Sequence, residues 1–222
     1  MFPYPFSFLG TTESGLDQLD NNYYMEFDGV DDKVIPNFLA TGQTEISVSA
    51  WVNSDSIGAR QCVFGTVWAG STAFVFGVDD VGKLYIFLRN GGANPGFLEA
   101  NSTLSASTWY HVAVTLTPNG SNMDCTFYLN GNIDNTTGAA QAYGQGDSVV
   151  STLNYEIGAT GNYGGASYDF FEGKIDEVGI WDVVLSSSDI TEIYNATDIA
   201  GKKCADLSAL TTPPIAWYRM GD

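Results

Sequence analysis

The chain predicts an all-β fold carrying one short helix. Three observations lead there. Apolar residues recur with period two through most of the chain, turn signals separate these runs at short intervals, and only one segment shows helical spacing. A length of 222 residues suits one unit of this kind, since β sandwiches and barrels commonly run to about 200–250 residues.

Residues 1–22 read as an arm and linker. In "MFPYPFSFLG", Pro3 and Pro5 hold the backbone extended and remove two ladder donors, which bars the segment from a central strand. Phe2, Tyr4, Phe6 and Phe8 would form an exposed apolar patch if left in water. Residues 1–10 are therefore expected to bury against a second copy or a larger assembly.

The domain proper spans 23–222. "EISVSAWVN" (45–53) sets Ile46, Val48, Ala50 and Val52 against Glu45, Ser47, Ser49 and Trp51. "AFVFGV" (73–78), "LYIFLR" (84–89), "WYHVAVTLT" (109–117) and "CTFYLNG" (125–131) alternate in the same way. Turn signals at 79–82, 90–92, 118–120 and 130–131 separate them, and such short connections favour antiparallel neighbours. The helix is expected near 187–195. Ser186 or Ser188 would cap it, Asp189 and Glu192 favour its first turn, and Ile190, Ile193 and Tyr194 form its stripe. Strand character returns in "PIAWYRM" (214–220), where Trp217 is expected to pack on the body. The sequence halts just after that strand, a pattern that a fragment or processed product would also show.

Charge narrows the partners. Twenty-six acidic residues against 8 basic ones give a net charge of −18, a surface that repels phosphate backbones and anionic headgroups. Nucleic acid is excluded as a partner. No run approaches the roughly 20 apolar residues of a membrane span, so no membrane insertion is expected. The opening segment lacks a basic n-region and does not read as a signal peptide. Three scattered cysteines without a CxxC argue against a disulfide framework or a zinc site, and Cys62 and Cys125 are expected as buried free thiols.

Several phrases in order resemble the LamG-like, concanavalin A-like jelly-roll superfamily: "MEFDGVDDKV" (25–34), "ISVSAWV" (46–52), "TWYHVAVTL" (108–116), "TFYLNG" (126–131), "YEIGATGNY" (155–163) and "FEGKIDEVGIWDVVLSSSDITEIY" (171–194). The resemblance implies a two-sheet antiparallel jelly-roll β-sandwich. It also implies that the "KIDE" segment is framework, with Ile175, Val178 and Ile180 facing inward and Asp176 and Glu177 near the strand's start, beside the "FDG" turn. A second reading of these acids is a structural Ca²⁺ site built from Asp176 with Asp28, Asp32 or Asp31, since calcium takes hard oxygen ligands converging from turns.

Catalysis has little support. Glu26, Asp28 and Asp31 approximate the acid spacing of glucanases that share the fold, but Gly29 starts a turn that carries Asp31 off the face. His111, the single histidine, is expected as a structural residue within a paired strand. The hairpin "IGATGNYGGASYDFFEGKIDEVGIWD" is similar to the calcium-bearing hairpin of pentraxins, yet Ala159, Thr160, Gly161 and Asn162 stand where that family carries acids. Aromatic residues mark the loops instead. Trp68, Tyr143, Tyr163 and Tyr168, beside Asn90 and Asn162, are the candidate ligand-binding residues, because rings stack on sugar faces while amides bond hydroxyls. The alternative is that these rings pack under their own loops or against a neighbouring subunit.

The resulting expectation is a non-catalytic surface-recognition or adhesion module that binds a glycan or a protein, on an extracellular or virion surface. The alternative is a purely structural assembly, decoration or fibre protein, as similar modules are in bacteriophage virions. A glycan-active enzyme ranks third.

Overall fold

The computed structural model describes residues 16–36, 44–66, 73–89, 96–119, 122–134, 141–142, 155–161, 167–199 and 201–220. In chain order, β1 (Gln18–Asp20) and β2 (Met25–Asp28) precede the long β3 (Ile46–Ser54). A meander follows through β4 (Gln61–Thr66), β5 (Ala73–Val78), β6 (Lys83–Arg89) and β7 (Gly96–Thr103). Next come β8 (Tyr110–Asn119), β9 (Asn122–Leu129), and the short β10 (Asn132–Ile133) and β11 (Gln141–Ala142). Then β12 (Tyr155–Ile157), β13 (Thr160–Gly161) and β14 (Ser167–Tyr168) lead into β15 (Glu172–Trp181). Helix α1 (Ser187–Ala196), β16 (Lys203–Ala205), a 3-10 turn (Leu207–Ala209) and β17 (Ala216–Tyr218) complete the chain.

The two main sheets run β10–β9–β8–β3–β15–β17, with β2 also on β15 and β11 on β9, and β12–β4–β5–β6–β7. Every pairing in them is antiparallel. Their facing sides bury one core, with Val48, Ala50, Val112 and Val114 from the large sheet meeting Phe64, Phe74, Phe76 and Ile86 from the other. The expected two-sheet sandwich is what forms.

β15 organises the large sheet. It pairs with β3 on one side, while its other side is shared by β2 at Glu172–Ile175 and β17 at Val178–Ile180. Ile175 and Val178 are three residues apart, so plain alternation would send them to opposite faces. A bulge between Asp176 and Gly179 absorbs the extra residue, with Glu177 at φ +51°, and Ile175, Val178 and Ile180 all reach the core. Trp217 packs on the body as expected, in register with Gly179.

The outer face of the large sheet departs from the alternation reading. Its polar-phase residues, Ser47, Ser49 and His111, are buried, because α1 and the tail cover them. Ala113, Tyr128 and Trp181 form a second apolar layer there with Leu185, Ile190, Ile193 and Leu207. Ser186 caps α1, accepting from the Asp189 backbone N–H at 3.2 Å, while the Asp189 carboxylate accepts the Ser186 N–H at 2.9 Å. The Asn130–Gly131 hairpin turn has φ +49° and +76°, and a side chain at Gly131 would meet Tyr194 at 2.9 Å. Gly131 thus lets the helix seat its tyrosine against the sheet.

Cys62 and Cys204 are buried and Cys125 is half-buried, all as free thiols. Burial pushes all three thiols up, Cys204 to about 12. Among the described residues no helix is long and apolar enough to cross a membrane.

Candidate functional site

Of the loop residues expected to bind ligand, Trp68, Asn90, Tyr143, Asn162 and Tyr163 lie outside the described residues, as do Phe2, Tyr4, Phe6 and Phe8 of the arm. Tyr168 is placed by its backbone, in β14 opposite Thr160. The described surface holds a different aromatic constellation.

It forms where the 21–24 segment, the start of β8 and the end of α1 converge on the outer face of the large sheet. Asn21 anchors the first of these. It is buried, its backbone N–H donates to the Lys202 carbonyl at 2.9 Å, and its side-chain amide donates to Asp176 Oδ2 at 2.9 Å. The chain then projects Tyr23 and Tyr24, which are 61% and 47% exposed. Such exposure of neighbouring rings is unusual unless they meet something. Tyr24 packs edge-to-face on Trp109, centroids 5.9 Å apart, and Lys174 Nζ lies 5.7 Å from the Tyr24 ring centroid.

Two adjoining cavities result. One, of about 430 Å³, is lined by Asn21, Asn22, Tyr23, Tyr24, Trp109, Asp176, Ile199 and Lys202. The second, of about 530 Å³, is lined by Trp51, Trp109, Tyr194, Asn195, Thr197, Asp198 and Ile199. Trp109 and Ile199 belong to both. Trp51 and Tyr194 stack with centroids 5.8 Å apart and planes 21° from parallel. The Trp51 indole N–H is buried without a partner among the described residues. An unpaired buried donor of this kind costs about 1–3 kcal/mol.

Beneath this groove, His111 lies next to Trp51 and Tyr194, with ring centroids 5.5 and 5.9 Å away. Its Nε2 is 2.8 Å from Ser49 Oγ, which on distance alone could pass for a nucleophile–base pair. The environment rules that out. Ser49 is buried, and burial holds the imidazole's pKa near 3, far below the range in which a general base works at neutral pH. His111 is framework: its backbone N–H donates to Asn130 Oδ1 and its carbonyl accepts from the Asn130 N–H, which locks the β9–β10 turn.

The acids of "KIDE" also turn inward. Asp176 is buried, held by Asn21 and by the Glu177 backbone N–H at 2.9 Å. Glu177 accepts from Trp217 Nε1 at 2.7 Å and faces Arg219 Nε at 3.7 Å. They do not sit beside the "FDG" turn at the strand's start. The residue opposite Asp28 is Glu172, and Asp176 lies four residues further along β15. The acidic group that does form is Asp28, Asp31 and Asp32, whose carboxylate oxygens lie within 4.8 Å of one another. Backbone N–H groups of Val30 and Asp31 bond Asp28 and hold its carboxyl below the usual range. These three exposed carboxylates offer a hard cation only part of the six to eight oxygens that calcium takes, and Asp176 is not among them. Glu26 pairs with Lys174 at 3.6 Å on the exposed side of β2, and Asp31 leaves that strand as the turn at Gly29 requires.

A second aromatic cluster lies on the outer face of the five-stranded sheet. The Arg60 guanidinium sits 5.8 Å from the Tyr85 ring centroid and 5.2 Å from that of Phe97, and the two rings stack at 5.6 Å. Burial raises the Tyr85 hydroxyl and, against the pull of Arg60, the Asp169 carboxyl.

Sequence reasoning missed the groove. Trp51 and Trp109 stand in alternating strand runs, and Tyr23 and Tyr24 lie at the start of the domain. Nothing local said that they converge.

Comparison with known proteins agrees with the architecture. The chain is similar to a heptameric SAP-like pentraxin from Limulus polyphemus (TM-score 0.60, 15% identity, 78% of this chain and 82% of that one). It is also similar to the CBM40 of an IT-sialidase from Ruminococcus gnavus, solved with α2,3-sialyllactose (TM-score 0.54, 17% identity, 69% and 84% covered). A third relative in shape is the NanB sialidase of Streptococcus pneumoniae (TM-score 0.59, 14% identity), where 79% of this chain covers 27% of the enzyme. At these identities the likeness is one of fold. No curated protein sequence matches the chain. The family model of the concanavalin A-like lectin/glucanases superfamily matches residues 27–191, more than half of the sequence, and the chain therefore belongs to that superfamily.

Proposed function

We propose that this protein is a non-catalytic carbohydrate-recognition module and that the groove at Trp109 holds the sugar. The observation that carries the reading is the lining. Exposed or half-buried rings (Tyr23, Tyr24, Trp109, Tyr194) alternate with amides, a hydroxyl and a carboxylate (Asn22, Asn195, Thr197, Asp198), in a fold whose relatives include glycan-binding proteins. Rings offer flat apolar faces to the C–H side of a pyranose while the polar groups exchange hydrogen bonds with its hydroxyls.

The placement of the acids supports a binding rather than a catalytic role. Glycoside hydrolysis needs a pair of free carboxyls facing the bond. Here Asp176 is tied to Asn21 and the Glu177 backbone, and Asp198 Oδ1 accepts the Gly201 N–H at 2.8 Å. The acidic, lysine-poor composition suits a module displayed on an extracellular or virion surface, where the aromatic arm would hold it to a second copy or a larger particle.

A glycan array tests the reading. The expected result is reproducible binding that Tyr24→Ala and Trp109→Ala abolish and Arg60→Ala leaves intact. Loss with Trp68→Ala or Tyr163→Ala alone would move the site to the loops. A blank array would favour the assembly role without ligand.

A further inference from the structure

The groove has two compartments, and their arrangement bears on what kind of sugar fits. We infer that it reads a neutral oligosaccharide chain across two subsites that meet at Trp109, an inference that rests on the carbohydrate-binding role above. Volume is the first argument. Each cavity, at about 430 and about 530 Å³, falls within the roughly 300–1,000 Å³ of small-molecule sites, so the pair exceeds what one monosaccharide fills. Continuity is the second. Trp109 and Ile199 line both cavities, so a chain passing from one to the other crosses the same indole.

The two ends differ in chemistry. At one, Tyr23 and Tyr24 are well exposed beside Asn22 and Lys202, a shallow surface for a terminal sugar. At the other, the Trp51–Tyr194 stack and the unpartnered Trp51 N–H stand beside Thr197 and Asp198. A sugar ring seated there would have an apolar face in the half-buried Tyr194 ring and a polar partner in the exposed Asp198 carboxylate.

Charge selects the neutral class. Asp176 and Asp198 line the groove against Lys202 alone. The neighbouring cations are engaged, Lys174 with Glu26 and Asp55 at 3.6 Å each, and Lys203 with Asp20. Set in a molecule of net charge −18, this lining opposes sulfated or uronic chains through both local and long-range repulsion.

Titration calorimetry with ladders of neutral gluco-, manno- and xylo-oligosaccharides, one to six units long, tests this beside sulfated and uronic ladders. In the ladder that binds, affinity is expected to rise about tenfold or more between one and four units and then level off. Trp109→Ala should remove that gain and Trp109→Phe restore part of it, while Tyr194→Ala should shorten the ladder's reach without abolishing monosaccharide binding. Tyr24→Ala, at an exposed ring, serves as a second variant should Trp109→Ala disturb folding. Length-independent binding, or a preference for anionic ladders that salt removes, would overturn the two-subsite inference and leave the carbohydrate role standing. Failure of every ladder and of the array would overturn both.

Discussion

His111 shows how one residue's burial becomes a property of the whole protein. Its pKa is held near 3 by desolvation, against 6.5 for an exposed histidine. Below pH 6.5 the unfolded chain takes up a proton that the folded chain refuses. The contribution to stability is therefore complete above pH 6.5 and is lost as pH falls toward 3. Between pH 6.5 and 5 the loss amounts to about 2 kcal/mol. Guanidinium unfolding across that window should show this slope, and His111→Gln should flatten it. The Asp169 carboxyl, raised by burial, gives a slope of the opposite sign, but it is common to both proteins and cancels in the difference. Equal slopes for the two would show that His111 is not the group responsible.

Among the elements, β15 carries the most specific arrangement. Its bulge falls between the stretch paired with β2 and the stretch paired with β17. Asp176 bonds the segment leading to β2 through Asn21, and Glu177 bonds the tail through Trp217 and Arg219. Removing the Glu177 carboxylate leaves the Trp217 N–H without its acceptor inside the protein. The expected cost of Glu177→Ala is about 2–3 kcal/mol, seen as a lower denaturant midpoint, against less than about 0.5 kcal/mol for Asp182→Ala at an exposed position on the same connection. Equal midpoints for the two variants would remove the bulge acids from the account of tail docking.

At the scale of the whole molecule, both faces of the large sheet carry a buried apolar layer, and the exposed rings Tyr23 and Tyr24 stand at the groove. The acidic surface keeps such a module apart from others of its kind, so assembly has to come from a specific apolar contact. We propose Phe2, Tyr4, Phe6 and Phe8 as that contact, since burying four rings could supply roughly 6–10 kcal/mol before ordering costs. Light scattering on the full chain and on a chain lacking residues 1–10 checks the proposal. A larger particle for the full chain and a monomer for the truncated one is the expected outcome. Monomers in both, with unchanged attachment to any larger particle, would sink it.

What the sequence determined by itself is whatever depends on local backbone geometry. Period-two alternation assigned Ile46, Val48, Ala50 and Val52 to the core, Asn130–Gly131 announced a turn, and Ser186 or Ser188 with Asp189 announced the helix start. Those features follow from one strand, one turn or one helix at a time. What only the tertiary structure decided is everything that depends on register between distant segments. Alternation could not show that the polar phase of β3 would be buried, because the cover comes from α1 and the connection leading into it more than 130 residues later, as in the Leu185 N–H that reaches Ser47 Oγ. Nor could it show that a bulge would carry Asp176 inward to Asn21 instead of leaving it with Asp28. The groove is the clearest case. Tyr24, Trp51, Trp109 and Tyr194 lie on four separate segments, and pairing of β3 with β8 and packing of α1 over them are what bring the four rings together.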